Sequence, residues 1–188
     1  VAREAVDQHV QVAGGLVDPD VTPGEKARLA VKAGGFYAGW LPKLAVGEGL
    51  DPRAYEEFGP LAKHLRFVER GARKLARATF YGMTRWQAGL ESRQAFLGRI
   101  VDLGAELFAM TAAVVYARTT AAADPAHGRQ TVELAELFCG QARRRANRLF
   151  HDLWSNDDAG NHAAAQRVLA GRYAFFEHDV LDPARQDP

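Results

Sequence analysis

The sequence predicts an all-α fold: an up-down antiparallel helical bundle with an N-terminal helical extension. Three observations carry this. Apolar residues recur at steps of three and four over several long segments, the spacing that lines one face of a helix. No period-two alternation lasts and no Asn-Gly hairpin occurs, so strand signals are absent. The last four helical segments are joined by short connections, which makes sequential neighbours pack antiparallel. The 188 residues are 47% apolar, enough for a closed core. The expected organisation is a helical extension and loop over 1–58, the bundle over 59–180 and a disordered tail over 181–188.

The first segment, Arg3 to Leu16, reads as a helix ended by Gly14-Gly15 and Asp18-Pro19. The second, Gly24 to Leu41, sets Ala27, Val31, Gly34 and Ala38 on one face and stops at Pro42. Gly34-Gly35 weakens it, and a close helix–helix contact would be the structural reason for glycine there. From Val46 to Gly59 the pattern fails; Asp51-Pro52 and Gly59-Pro60 mark a surface loop and a candidate hinge.

The strongest signals follow. Leu61, Leu65, Val68, Ala72, Leu75, Thr79, Met83 and Trp86 define one apolar face, with Pro60 in the first turn and Gly89 as the closing residue. A second long helix carries Phe96, Leu97, Ile100, Leu103, Leu107, Met110, Val114 and Val115, and fades at Thr119-Thr120 and an alanine run. A third carries Leu134, Leu137, Phe138, Ala142, Leu149, Phe150 and Leu153, ended by the polar cluster Ser155 to Asp158. A shorter helix, about Asn161 to His178, brings Val168, Leu169, Tyr173 and Phe176.

Composition and motifs exclude most chemistry. The net charge of +1 makes the chain no polyelectrolyte. A single cysteine, Cys139, builds no disulfide or cysteine zinc site and suits a reducing cytoplasm; it reads as a buried, inert thiol. The opening residues form no signal peptide, and no run of ~18 uninterrupted apolar residues predicts a membrane span. The two serines, Ser92 and Ser155, sit in no nucleophile elbow. Neither Glu-x-x-His nor a phosphate loop occurs, and the six histidines fall on different segments. Asp102 and Glu106 share a helix face and could be an acid–base pair; the plainer reading is that each meets an arginine from a neighbouring helix. No catalytic, cofactor-binding or metal-binding residue is expected in this chain.

The most distinct electrostatic feature is a basic row, Lys63, Arg66, Arg70, Arg73, Lys74, Arg77 and Arg85, opposite the apolar stripe of the first long helix. It reads first as a solvated face, next as a docking face for another domain or subunit, and last as a contact for nucleic acid or an anionic membrane. No stacking aromatics interleave it, so nucleic acid is not an expected partner. Arg143, Arg144, Arg145 and Arg148 form a second basic patch with the same ranking.

The stretch HLRFVERGARKLARATFYGMTRWQAGLESRQAFLGRIVDLGAELFAM, residues 64–110, resembles the C-terminal accessory region of bacterial acyl-CoA dehydrogenases of the long- and very-long-chain type. The opening AREAVDQHV is similar to the chain leaving the catalytic core, and LFCGQARRRANRLFHDLW and AAQRVLAGRY to the later helices of that region. The resemblance covers nearly the whole chain and rests on helical strings, not on a catalytic signature. It implies a non-catalytic helical domain of an enzyme in which a glutamate removes the α proton of an acyl thioester and FAD takes the β hydride. Both would belong to a core preceding residue 1. It also implies packing on that core, a homodimer, and a cytoplasmic location with possible docking to an anionic membrane surface. An independent ligand-binding or regulatory module is the alternative.

Overall fold

The structure, a computed structural model, describes residues 11–16, 18–40, 42, 46 and 48–176. All regular structure among them is helical. Of the first expected helix only its end is described, a helical turn and a 3-10 turn at Gly14–Leu16; Arg3 to Val10 lie outside.

Helix α1 spans Pro23–Trp40, one residue earlier than expected, because Thr22 and Glu25 close a capping box. The Glu25 amide donates to Thr22 Oγ1 (3.4 Å), and the Thr22 hydroxyl donates to the Glu25 carboxylate (2.7 Å). The helix–helix contact expected at Gly34-Gly35 is not there: a Cβ on either would meet nothing within 4 Å. Tyr37 and Trp40 instead meet Phe80, with ring centroids 5.1 and 5.7 Å apart.

The loop that follows carries two 3-10 turns, Glu48–Leu50 and Glu56–Leu61. Gly59 has φ 55, ψ −126, a conformation glycine adopts without strain. The segment expected to be a hinge is tied down. The Arg66 guanidinium donates to the Ala54 carbonyl (2.8 Å), and Arg70 donates to the carbonyl of Gly49.

Three long helices form the bundle: α2 (Ala62–Trp86), α3 (Gln94–Ala123) and α4 (Pro125–Asp152). On α2 the buried row runs through His64, Leu65, Gly71, Ala78, Thr79 and Gly82, while Ala72, expected on that face, is exposed. The helix ends at Trp86 and not at Gly89, because Gln87 turns left-handed (φ 47). Helix α3 continues through Thr119-Thr120 and the alanines, which favour helix, and breaks only at Asp124-Pro125. Pro125 cannot donate to the preceding turn, and Asp124 Oδ1 accepts from the Ala126 (3.1 Å) and His127 (3.4 Å) amides, so one residue separates the two helices.

The register follows from close contacts. A Cβ at Gly71 would come within 2.8 Å of Leu107, and one at Gly82 within 2.6 Å of the Phe96 ring, so α2 and α3 are antiparallel. A Cβ at Gly128 would lie 2.9 Å from the Ala121 Cα, and Cys139 Sγ lies 3.8 Å from the Met110 carbonyl, so α3 and α4 are antiparallel too. Two apolar clusters stack along the bundle. One joins Leu61, Leu65, Met110, Val114, Cys139 and Ala142; the other joins Ala78, Ile100, Leu103, Ala146, Phe150 and Leu153.

One sequence expectation is corrected. Helix α4 does not bury Leu134 and Leu137, which are 68% and 59% exposed, and Phe138 is also partly exposed; its interior row is Gly128, Ala135, Cys139, Ala142, Ala146 and Phe150. Helix α3 is long and apolar enough to cross a membrane by length and composition, with mean hydropathy 1.6 over its best window. Asp102 and Glu106 interrupt its apolar run, so counting uninterrupted residues misses it.

The chain divides into two compact units, the second being Ser155–Pro188. In it, α5 (Asp158–Leu169) ends well short of the expected His178. Gly171 turns left-handed (φ 71), and the Arg172 amide reaches back to the Arg167 carbonyl (3.0 Å).

Candidate docking surfaces

Two surfaces compete: the basic row of α2 and the outer face of α3 and α4. The basic row is largely engaged within the chain. Lys63 pairs with Glu136 of α4, and Arg73 pairs with Glu69 one turn back. Arg66 and Arg70 hold the preceding loop. The Lys74 ammonium sits over the Phe150 ring at 4.4 Å, and Arg85 lies 5.7 Å from the Trp86 ring. Arg77 also has a partner within the chain. Arginines at helical spacing look alike in sequence whether they meet solvent or a folded-back loop, because the carbonyls of Gly49 and Ala54 leave no mark in composition.

The second basic patch divides in the same way. Arg143 lies over the Phe67 ring (5.0 Å). Arg145 grips Glu106 with two hydrogen bonds, Nε to Oε1 at 2.5 Å and Nη2 to Oε2 at 3.0 Å, and this pairing raises the guanidinium pKa. The arginine partner expected for Glu106 is therefore present. No ion pair joins Asp102 to an arginine among the described residues; Asp102 and Arg148 both line an open groove between α3 and α4, beside the Glu106–Arg145 pair.

The outer face of α3 and α4 is apolar. Phe108 is 75% exposed and Tyr116 70%, with Val115 about half exposed, on the side of α3 away from Leu103, Met110 and Val114. On α4, Leu134 and Leu137 are exposed as well. Only 33% of the apolar window of α3 is buried. Exposed apolar side chains of this size make the face a candidate contact surface.

His64, one of six histidines that share no ligand spacing in the sequence, is a buried polar link between α2 and α4. It is 1% exposed, and its Nε2 donates to Glu136 Oε2 at 2.9 Å. Nδ1 is buried with no hydrogen-bond partner. Burial lowers its pKa, and the positive charges of Arg143 and Lys63 add to that, against the opposing pull of Glu136. Burial pushes the Glu136 carboxyl up, but hydrogen bonds from Lys63 and His64 outweigh it and hold the carboxyl low. Protonated His64 would bury a second N–H with no acceptor. A lowered histidine pKa means the unfolded chain binds the extra proton first. This contribution is complete above the ordinary value of 6.5 and declines as pH falls below it toward the folded value. The urea midpoint should therefore drop further between pH 7.5 and pH 5.5 in the native chain than in His64→Gln. Equal drops would show that His64 does not titrate on unfolding.

Cys139 is fully buried, and desolvation pushes its thiol up to about 11, as expected for an inert core cysteine. No cluster of histidine, cysteine and carboxylate side chains that could hold a metal occurs among the described residues.

Residues 60–171, spanning the three-helix bundle and α5, match the family model for the ACAD9/ACADV C-terminal domain. The chain belongs to that family. It is 58% identical over 182 residues to a probable acyl-CoA dehydrogenase, FadE10, of Mycobacterium bovis and to its counterparts in two Mycobacterium tuberculosis strains. The alignment covers 97% of this chain and 28% of each relative, so the chain spans little more than a quarter of their length. No solved structure matches it. For a member of this C-terminal family, the strings quoted from 64–110 and 137–154 were the informative signal. They fall on α2, α3 and α4, whose contacts make the core.

Proposed function

We propose that this chain is the non-catalytic C-terminal module of an FAD-dependent acyl-CoA dehydrogenase of fatty-acid oxidation, working in the cytoplasm by contact with the rest of its polypeptide and with a dimer partner. The observation that carries the reading is the match of residues 60–171 to a C-terminal domain family, in a chain that aligns to only 28% of the length of its relatives. The residues here do not fit a flavin. The bundle interior is filled by Leu103, Met110, Val114, Cys139, Ala142 and Ala146, each without solvent exposure. In the groove between α3 and α4 the carboxylates of Asp102 and Glu106 balance Arg145 and Arg148, so it offers no net positive charge to hold a diphosphate. Flavin and general base therefore belong, in this reading, to the preceding segment.

The test is spectroscopic and kinetic. The 188-residue chain, purified and incubated with FAD, should show no flavin absorption band and oxidise no acyl thioester in the presence of an electron acceptor. The longer polypeptide should do both. Turnover by the 188-residue chain alone would contradict the proposal.

A further inference from the structure

Resting on that reading, the geometry points to the outer face of α3 and α4 as the surface on which the preceding acyl-CoA dehydrogenase segment docks. Helix α3 is the most apolar element of the bundle, yet two of its sides are already occupied, by α2 through Gly71–Leu107 and by α4 through Gly128–Ala121. Its third side carries Phe108, Val115 and Tyr116 outward, and α4 also exposes Leu134 and Leu137. Exposed apolar side chains of this size resemble the apolar centre of an interface more than a solvated surface.

The partner is identified by what lies outside the chain. Most of each relative's length precedes a region of this kind, and it is joined covalently, so the effective concentration of that segment is high. The basic row of α2 is the weaker candidate, because Lys63, Arg66, Arg70 and Arg73 already have partners in the chain. In the groove between α3 and α4, Glu106 and Arg145 satisfy one another, while Asp102 and Arg148 remain to meet polar groups of the docked segment. Two such charges at the edge of an apolar contact would fix its register more than its strength.

Hydroxyl-radical footprinting tests this on the longer polypeptide and on the 188-residue chain. Phe108 and Tyr116 should be oxidised several-fold more slowly in the longer polypeptide, whereas Tyr81 on α2, 56% exposed, should react equally in both. Val115→Glu together with Leu137→Glu, both at exposed positions, should restore fast oxidation of Tyr116 in the longer polypeptide. Persistent protection in that double variant would overturn the assignment. Protection of Tyr81 in place of Tyr116 would move docking to another face, overturning this inference while leaving the module reading intact. Protection that needs anionic vesicles would give the face to lipid. Protection already present in the 188-residue chain would give it to a second copy if it grows with concentration, and to the chain's own final segment if it does not. Each of these also overturns the inference, and none of them alters the flavin result that tests the proposed function.

Discussion

Leu103→Ala should destabilise the chain by about 3 kcal/mol. Leu103 has no solvent exposure and sits in the cluster of Ala78, Ile100, Ala146 and Phe150, in the first half of the helix that touches both neighbours. Truncation removes buried methyl groups from water-free surroundings and leaves a cavity. That cavity cannot collapse readily, because α2 and α4 are held in place by contacts on either side, at Gly71–Leu107 and Arg145–Glu106. For a chain of this length the melting temperature should fall by roughly 6–12 °C. Urea denaturation of the two proteins checks it; a loss near zero would mean that α3 is not the central helix.

The second large effect inverts the usual expectation that leucine belongs inside and alanine outside. Ala142→Leu should cost about 2 kcal/mol through overpacking, while Leu137→Ala, on the same helix, should change stability by no more than about 0.5 kcal/mol. Ala142 is fully enclosed in the cluster with Leu61, Leu65 and Met110, where no space for three more carbons exists without moving α2 or α3. Leu137 is 59% exposed on the opposite side of α4. Denaturation midpoints of both variants distinguish this register from the one expected when the large residues Leu134, Leu137 and Phe138 are assigned to the core.

That contrast shows where sequence reasoning succeeds and where it stops. Helices α2 and α3 were legible because apolar residues such as Leu65 on α2 and Ile100, Leu103, Met110 and Val114 on α3 point inward at helical spacing. On α4 the pattern misleads. The inner face is built of Gly128, Ala135, Ala142 and Ala146 so that the backbone approaches α3 closely, and the large side chains face outward. Hydropathy ranks leucine above alanine and cannot see that proximity. The same blindness hid the docking face. Phe108, Val115 and Tyr116 look like core residues when read along one helix, and only the structure shows α2 and α4 leaving them uncovered. The loop over 48–61 was read as loose because its anchors are backbone carbonyls gripped by Arg66 and Arg70. Alanine-rich ends posed a gentler problem, since α3 runs to Ala123 until Pro125 stops it.

Family membership, by contrast, was visible in the helical strings themselves, and the functional proposal follows from where that family stands in a longer enzyme. What the module adds to that enzyme depends on its surfaces, since its interior is closed. The most direct measurement is the oxidation rate of Tyr116 in the longer polypeptide relative to the 188-residue chain. The account predicts a several-fold decrease at Tyr116 with Tyr81 unchanged. Equal rates at Tyr116 would contradict it.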